Sequence, residues 1–176
     1  MLNALYAAIW LFALWKWGDW ENWRNYYPTI LYFIIGDFLY LYLLSDAYPM
    51  WRYVPPIIDE EMGVTNSHVS LSVMLIKYPA TILIFLSKFP TENTWKKILY
   101  ILGWVSLYGV NELIDLNLGT IEHYNGWNFW WSSLFNLVLF SILRVHYRQP
   151  PLAWLLSMIF MVILWNIFNV PSYVFR

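Results

Sequence analysis

The chain contains no cysteine. It can therefore form no disulfide, present no thiolate nucleophile and ligate no metal or cluster through sulfur. Charge is scarce too: 12% of the 176 residues are Asp, Glu, Lys or Arg, and the formal net charge is −1. That balance argues against a nucleic-acid partner, because phosphate binding requires clustered Lys and Arg. The 7 glycines build no phosphate-cradling loop, and there is no Ser/His/Asp arrangement or paired-His metal motif. Composition points to no catalytic residues, no metal and no cofactor.

What the chain does have is apolar length. Of its residues, 60% are hydrophobic and 22% aromatic. Six apolar segments run at about Leu2–Trp17, Pro28–Tyr48, Ser67–Phe89, Ile98–Leu118, Trp127–Tyr147 and Leu152–Val170. An apolar run of about 20 residues matches the ~30 Å hydrocarbon core of a bilayer. Helix is the expected conformation, since an open sheet edge leaves backbone groups unpaired in lipid. The expected fold is all-α: one transmembrane domain over residues 1–176, a bundle of six transmembrane helices, or five if the first segment lies in the interface. Met1 to Trp15 has no cation before its apolar stretch and no small-residue cleavage site after it, so it reads as an uncleaved span rather than a signal peptide. Pro28 and Pro151 fall where a helix tolerates proline, at its start. Pro79, inside the third segment, should kink it.

Cations alternate between the gaps. Lys16 and Arg24 occupy the first, Lys88, Lys96 and Lys97 the third, and Arg144 and Arg148 the fifth. The second holds Arg52 alone, beside Asp59, Glu60 and Glu61, and the fourth holds no Lys or Arg. Arg176 adds one more to the poorer side. Cytoplasmic loops carry the excess of Lys and Arg, so gaps one, three and five are expected inside and both termini outside. Trp15, Trp17, Trp20, Trp23, Tyr26 and Tyr27 at the inner side, and Tyr124, Trp127, Trp130 and Trp131 at the outer, read as headgroup anchors. The long outer loop Pro49–Asn66, with Pro55-Pro56, is placed to cover the outer mouth.

Several short segments carry a family likeness: Tyr26-Tyr27-Pro28-Thr29, Pro49-Met50-Trp51-Arg52-Tyr53, Tyr78-Pro79-Ala80-Thr81, Asn125-Gly126-Trp127-Asn128 and Leu143-Arg144-Val145-His146. In these the chain resembles an uncharacterised family of small Trp-rich polytopic membrane proteins from Bacillus- and Clostridium-type bacteria. The resemblance implies a bacterial plasma membrane and no catalytic residues.

The polar residues inside the spans carry the functional reading. Asp37, Lys77, Asn111, Glu112 and Asn136 lie within predicted spans, with Asp115 near the outer end of the fourth. At 1.5 Å per residue, Asp37, Lys77, Glu112 and Asn136 fall within about one helical turn of a common depth. A charge at mid-bilayer costs about 2.5–3.5 kcal/mol on insertion scales, so these groups should face one another, with Lys77 against Asp37 or Glu112. Tyr108, Asn111, Glu112 and Asp115 recur at helical spacing and form one stripe. Gly36, Gly103 and Gly109 would let helices approach closely. Asp37 plus Glu112 against Lys77 leaves one negative charge, which would hold a proton or attract a cation. His68, His123 and His146 lie too far apart for a metal site, and His68 and His123 read as loop histidines. Asp59-Glu60-Glu61 reads as a solvated acidic loop.

Three functions fit this pattern. The first is a small transport or ion/proton-translocation component, whose partners are the lipid bilayer and a proton, cation or small molecule. The second is a non-catalytic membrane sensor or interaction protein whose polar cluster only specifies helix packing. Ala4 and Ala8, a small-xxx-small pair, suit either close packing within the bundle or contact with a partner membrane subunit. An enzyme acting on lipid through Glu112 and Asp115 ranks last, for want of a nucleophile or metal.

Overall fold

The computed structural model describes residues 2–175; Arg176 lies outside the described residues. The apolar segments become helices, and the outer loop adds a short one, α3: α1 (Leu2–Trp17), α2 (Trp23–Leu43), α3 (Ile57–Glu61), α4 (Asn66–Ser72), α5 (Tyr78–Ser87), α6 (Thr94–Asn117), α7 (Phe129–Arg148) and α8 (Pro150–Ile167). A π-helical turn, Val73–Lys77, joins α4 to α5 without a break. Two short strands, β1 (Trp51–Tyr53) and β2 (Ile121–His123), pair antiparallel.

Local chemistry sets several boundaries. Asn93 and Asn128 cap α6 and α7, their side chains accepting the backbone N–H of Trp95 and of Trp130 and Trp131. Pro150 and Pro151 occupy the first turn of α8, where no backbone donor is needed. Pro28 departs from expectation. The helix starts at Trp23, so Pro28 lies inside α2. The early start is anchored by Tyr26, which donates to Asp19 Oδ2 at 2.8 Å and stacks on Tyr147 at 5.5 Å. So near the start, the missing donor forgoes only one intrahelical bond. At Pro79, where a kink was expected, the backbone adopts the π turn: Tyr78 N–H reaches back five residues to Val73 O. The wider turn relieves the clash a proline makes with the carbonyl four residues before it.

Among the described residues three helices are long and apolar enough to cross a membrane: Trp23–Leu43, Asn66–Ser87 and Pro150–Ile167. Six were expected. With 16 residues, α1 extends only about 24 Å at 1.5 Å per residue. Lys96, Lys97, Glu112 and Asp115 dilute the apolar content of α6, and Ser132, Ser133, Asn136, Arg144 and Arg148 dilute that of α7.

The long helices alternate in direction. Pairing of β1 with β2 brings residues 49–65 and 118–128 together. Asp59 accepts the Asn3 N–H at 3.1 Å, bringing the start of α1 to the same end. Val170 and Val174 pack there with Met50 and Trp127. At the opposite end Arg144 lies 4.4 Å from the Phe89 ring, and Tyr26 meets Tyr147. The molecule thus has a basic end, with Lys16, Arg24, Lys88, Lys96, Lys97, Arg144 and Arg148, and a capped end. Near the basic end the core is densely apolar: Ala80, Ile82, Phe85, Phe140, Leu143 and Ala153 are fully buried.

Several loop readings change. Asp59 is buried, not solvated, and serves as an anion at the α1 N-terminus. Trp127 and Tyr26 are core residues rather than surface anchors, whereas Trp15, Trp17, Trp20, Trp23 and Trp130 are exposed. His68 closes a capping box, accepting the Thr65 N–H at 3.1 Å. Ala4 and Ala8 face outward. Of the three glycines expected at close helix approaches, only Gly109 has a near neighbour, the Phe129 ring; a side chain at Gly36 or Gly103 would meet open space.

Candidate functional site

Between the dense core and the capped end lies a cavity of about 320 Å³. Asp37, Lys77, Glu112, Asp115 and Asn136 all line it, brought there by α2, the π turn, α6 and α7. The sixth expected residue, Asn111, does not line it. The rest of the wall is chiefly aromatic and aliphatic, with Tyr40, Trp51, Trp127 and Phe135 on one side and Met158, Met161 and Leu164 on α8. A largely apolar hollow with a few convergent polar groups is the usual form of a small-molecule site.

Lys77 is placed differently from expectation. Its ammonium makes no direct contact with a carboxylate among the described residues. It donates to Tyr6 Oη at 3.0 Å, and Tyr6 in turn donates to Asn111 Oδ1 at 3.0 Å. Asn111 closes the chain by donating to Leu107 O at 2.7 Å. Rings enclose the ammonium: Tyr108, Tyr6 and Trp10 have centroids 4.6, 5.4 and 5.8 Å away. Their electron-rich faces attract a cation and replace part of its hydration. Asp37, Glu112 and Asp115 remain within electrostatic reach of it. Tyr6 and Trp10, one turn apart on α1, form a face that helical spacing alone could have flagged.

Each carboxylate has its own partner. Asp37 Oδ2 accepts from Tyr78 Oη at 2.9 Å, and the Tyr78 ring stacks on Phe33 at 3.8 Å. Glu112 Oε1 lies 2.8 Å from His123 Nε2 on β2. That contact lacks hydrogen-bond alignment, so it acts as an ion pair when the imidazole is protonated. Asp115 Oδ1 accepts from Thr120 Oγ1 at 3.1 Å, a contact that finishes the end of α6. Asn136 is buried against the cavity. His123 was read as a loop histidine; pairing of β1 with β2 turns it inward, a contact across sequence that no local pattern announces.

The cap is held from below by Tyr40. Its hydroxyl donates to Trp51 O and accepts from Met50 N–H at 3.1 Å and Trp51 N–H at 2.9 Å. Its ring stacks on Trp51 at 3.9 Å with an interplanar angle of 2°. Arg52 adds two hydrogen bonds from its guanidinium to Ser45 O. In the cap, burial pushes the Tyr53 hydroxyl above the ordinary tyrosine range. Tyr124 is raised as well, because its hydroxyl donates to the Glu122 carboxylate.

At the basic end a second polar chain crosses the bundle. Thr29 Oγ1 and His146 Nδ1 are 3.0 Å apart, His146 stacks on Tyr32, and Tyr32 Oη bonds Ser157 Oγ. It ties α2, α7 and α8 together. Among the described residues no group of three or more His, Asp or Glu side chains is arranged to hold a metal ion.

In comparisons with known proteins, no family model, curated protein or solved structure matches the chain. The functional reading therefore rests on the cavity and its chemistry.

Proposed function

We propose that this is a polytopic membrane protein of a bacterial plasma membrane, and that the cavity is the binding site of a small transport or translocation component. Six alternating helices span the bilayer in this reading, with the basic end inside and the capped end and both termini outside. The segregation of cations to one end supports that orientation. The exposed tryptophans at both ends support a bilayer setting.

The convergence of five intramembrane polar residues on one cavity carries the functional reading. Charges at this depth are costly, and a merely structural ion pair would need no hollow beside it. Beside them the cavity is bounded by a cap, whose strand delivers His123 to Glu112. Flux of protons, metal cations or small organic ions into liposomes containing the full chain tests the reading. Glu112→Gln should abolish that flux while leaving the fold intact. Liposomes with unaltered protein that pass none of these across several gradients would refute transport.

One observation favours the second reading, a sensor or interaction protein. Lys77, Asp37 and Asp115 each have an internal hydrogen-bond partner. Under that reading Glu112→Gln lowers thermal stability and there is no flux to lose.

A further inference from the structure

The cavity wall is unevenly satisfied. Lys77 is taken up by Tyr6 and three rings, Glu112 by His123, and Asp115 by Thr120. Among the described residues Asp37 Oδ1, Asp115 Oδ2 and Glu112 Oε1 take no hydrogen bond, while Asp37 Oδ2 takes the Tyr78 hydroxyl. Asp37 is set apart by its surroundings, because the tyrosine that donates to it is stacked on Phe33. The Asn136 amide, also in the wall, makes no side-chain hydrogen bond among the described residues either. Three carboxylates against one ammonium give the lining a formal charge of −2 (Asp37, Glu112 and Asp115 at −3, Lys77 at +1). Stacked rings share the cavity wall with Asp37: Phe33 on Tyr78, whose hydroxyl donates to its Oδ2, and Tyr40 on Trp51. A carboxylate with an open oxygen in a cavity lined by aromatic rings is a place for an organic cation.

The cavity also has a side facing the bilayer. α2 packs on α5 and α7, and α8 packs on α7, but among the described residues α2 and α8 do not pack along their length. They touch about midway, where Tyr32 meets Ser157 and Trp154, and just beyond their ends at the cap, where Tyr48 donates to Phe168 O. Between those contacts Gly36 and Leu39 on α2 and Met158 and Met161 on α8 all line the cavity. A side chain at Gly36 would meet nothing within 4 Å. Leu39 and Met158 are exposed, so in a bilayer this gap opens to acyl chains rather than to water.

Resting on the proposed function, we infer that the cavity binds an amphipathic organic cation, a protonated amine or quaternary ammonium on an apolar body, which reaches it from the lipid between α2 and α8. The cation lies at Asp37 against the aromatic faces, the body lies along Met158 and Met161, and the Asn136 amide offers a hydrogen bond. A volume of about 320 Å³ fits a small ligand, near the low end of the usual range.

The test measures binding of octyltrimethylammonium, octanol and octyl sulfate to the full chain in detergent. Tryptophan fluorescence reads it, since Trp51 and Trp127 line the cavity, with thermal melting alongside. The cation should bind saturably and about tenfold more tightly than octanol, with octyl sulfate weakest. Asp37→Asn should remove most of that preference, and Gly36→Trp, which fills the gap, should weaken binding of the cation. The comparison among probes needs no variant, so it stands even if Asp37→Asn fails to fold. Saturable binding without charge preference, blocked by Gly36→Trp, would overturn the cation while keeping the cavity as a binding site. Cation binding unchanged in Gly36→Trp would overturn lateral access. No saturable binding of any probe would overturn the inference, while the proposed translocation would still be judged by flux.

Discussion

His123, in the strand that caps the cavity, lies 2.8 Å from Glu112 in the wall of α6, and both side chains are nearly buried, at 13% and 11% exposure. One contact therefore joins the cap to the charged centre. A double-mutant cycle with His123→Gln and Glu112→Gln should give a coupling of about 0.5–3 kcal/mol. Thermal unfolding of the single and double variants reads it. Strict additivity would show that the two groups act independently.

Tyr6 supplies the hydrogen bond of the Lys77 ammonium. Tyr6→Phe should destabilise the protein by about 1–3 kcal/mol, because it leaves a buried charged donor without its acceptor. Lys77→Met in that background should recover much of the loss. A Tyr6→Phe variant as stable as the parent would contradict the arrangement.

Tyr40 holds the cap with three hydrogen bonds. Tyr40→Phe retains the ring stacked on Trp51 but strands two backbone donors. Hydrogen exchange over residues 48–54 should speed up, with little change in the dense core around Phe85 and Phe140. Uniform acceleration throughout would mean that the cap is no separate unit.

Orientation is testable in a background free of cysteine. Met62, exposed at the capped end, and Thr94, at the basic end, can each be changed singly to Cys. In intact cells an impermeant maleimide should label Met62→Cys and spare Thr94→Cys. The reverse pattern refutes the assigned sides.

Removing the Asp59 carboxylate should loosen the start of α1. Asp59→Ala should cost about 0.5–2 kcal/mol, with exchange rising first in the opening turn of that helix. The Asn3 amide reports it directly.

Helix content was legible in the sequence because apolar length and scarce charge point the same way. The convergence of Asp37, Lys77, Glu112 and Asn136 was approachable from depth alone, since helical rise turns sequence distance into height. What depth could not supply was azimuth. Lys77 turns toward Tyr6 and Trp10 on α1 rather than onto a carboxylate, and Asn111, which bonds the same Tyr6, does not line the cavity. His123 and Asp59 were misread for a different reason. Both lie outside the long helices: His123 is turned inward by the pairing of β1 with β2, and Asp59 is held against the start of α1. Trp127 looked like a headgroup anchor by position and proved to be core, because the cap gave it rings to pack against.

The wide turn at Val73–Lys77 acts on rotation rather than on direction. It lets one additional residue into a single turn, so the two halves of this long helix are offset by about 100° from where an unbroken α-helix would set them. The first half buries Val69 and Ser70, and the second buries Ala80, Thr81, Ile82, Leu83 and Phe85. Shortening the turn by one residue would leave either half correctly seated but not both. Lys77 and Tyr78, at the seam, would then lose their common footing beside Tyr6 and Asp37. The geometry of the charged centre thus depends on a miscount of one in an otherwise regular spiral.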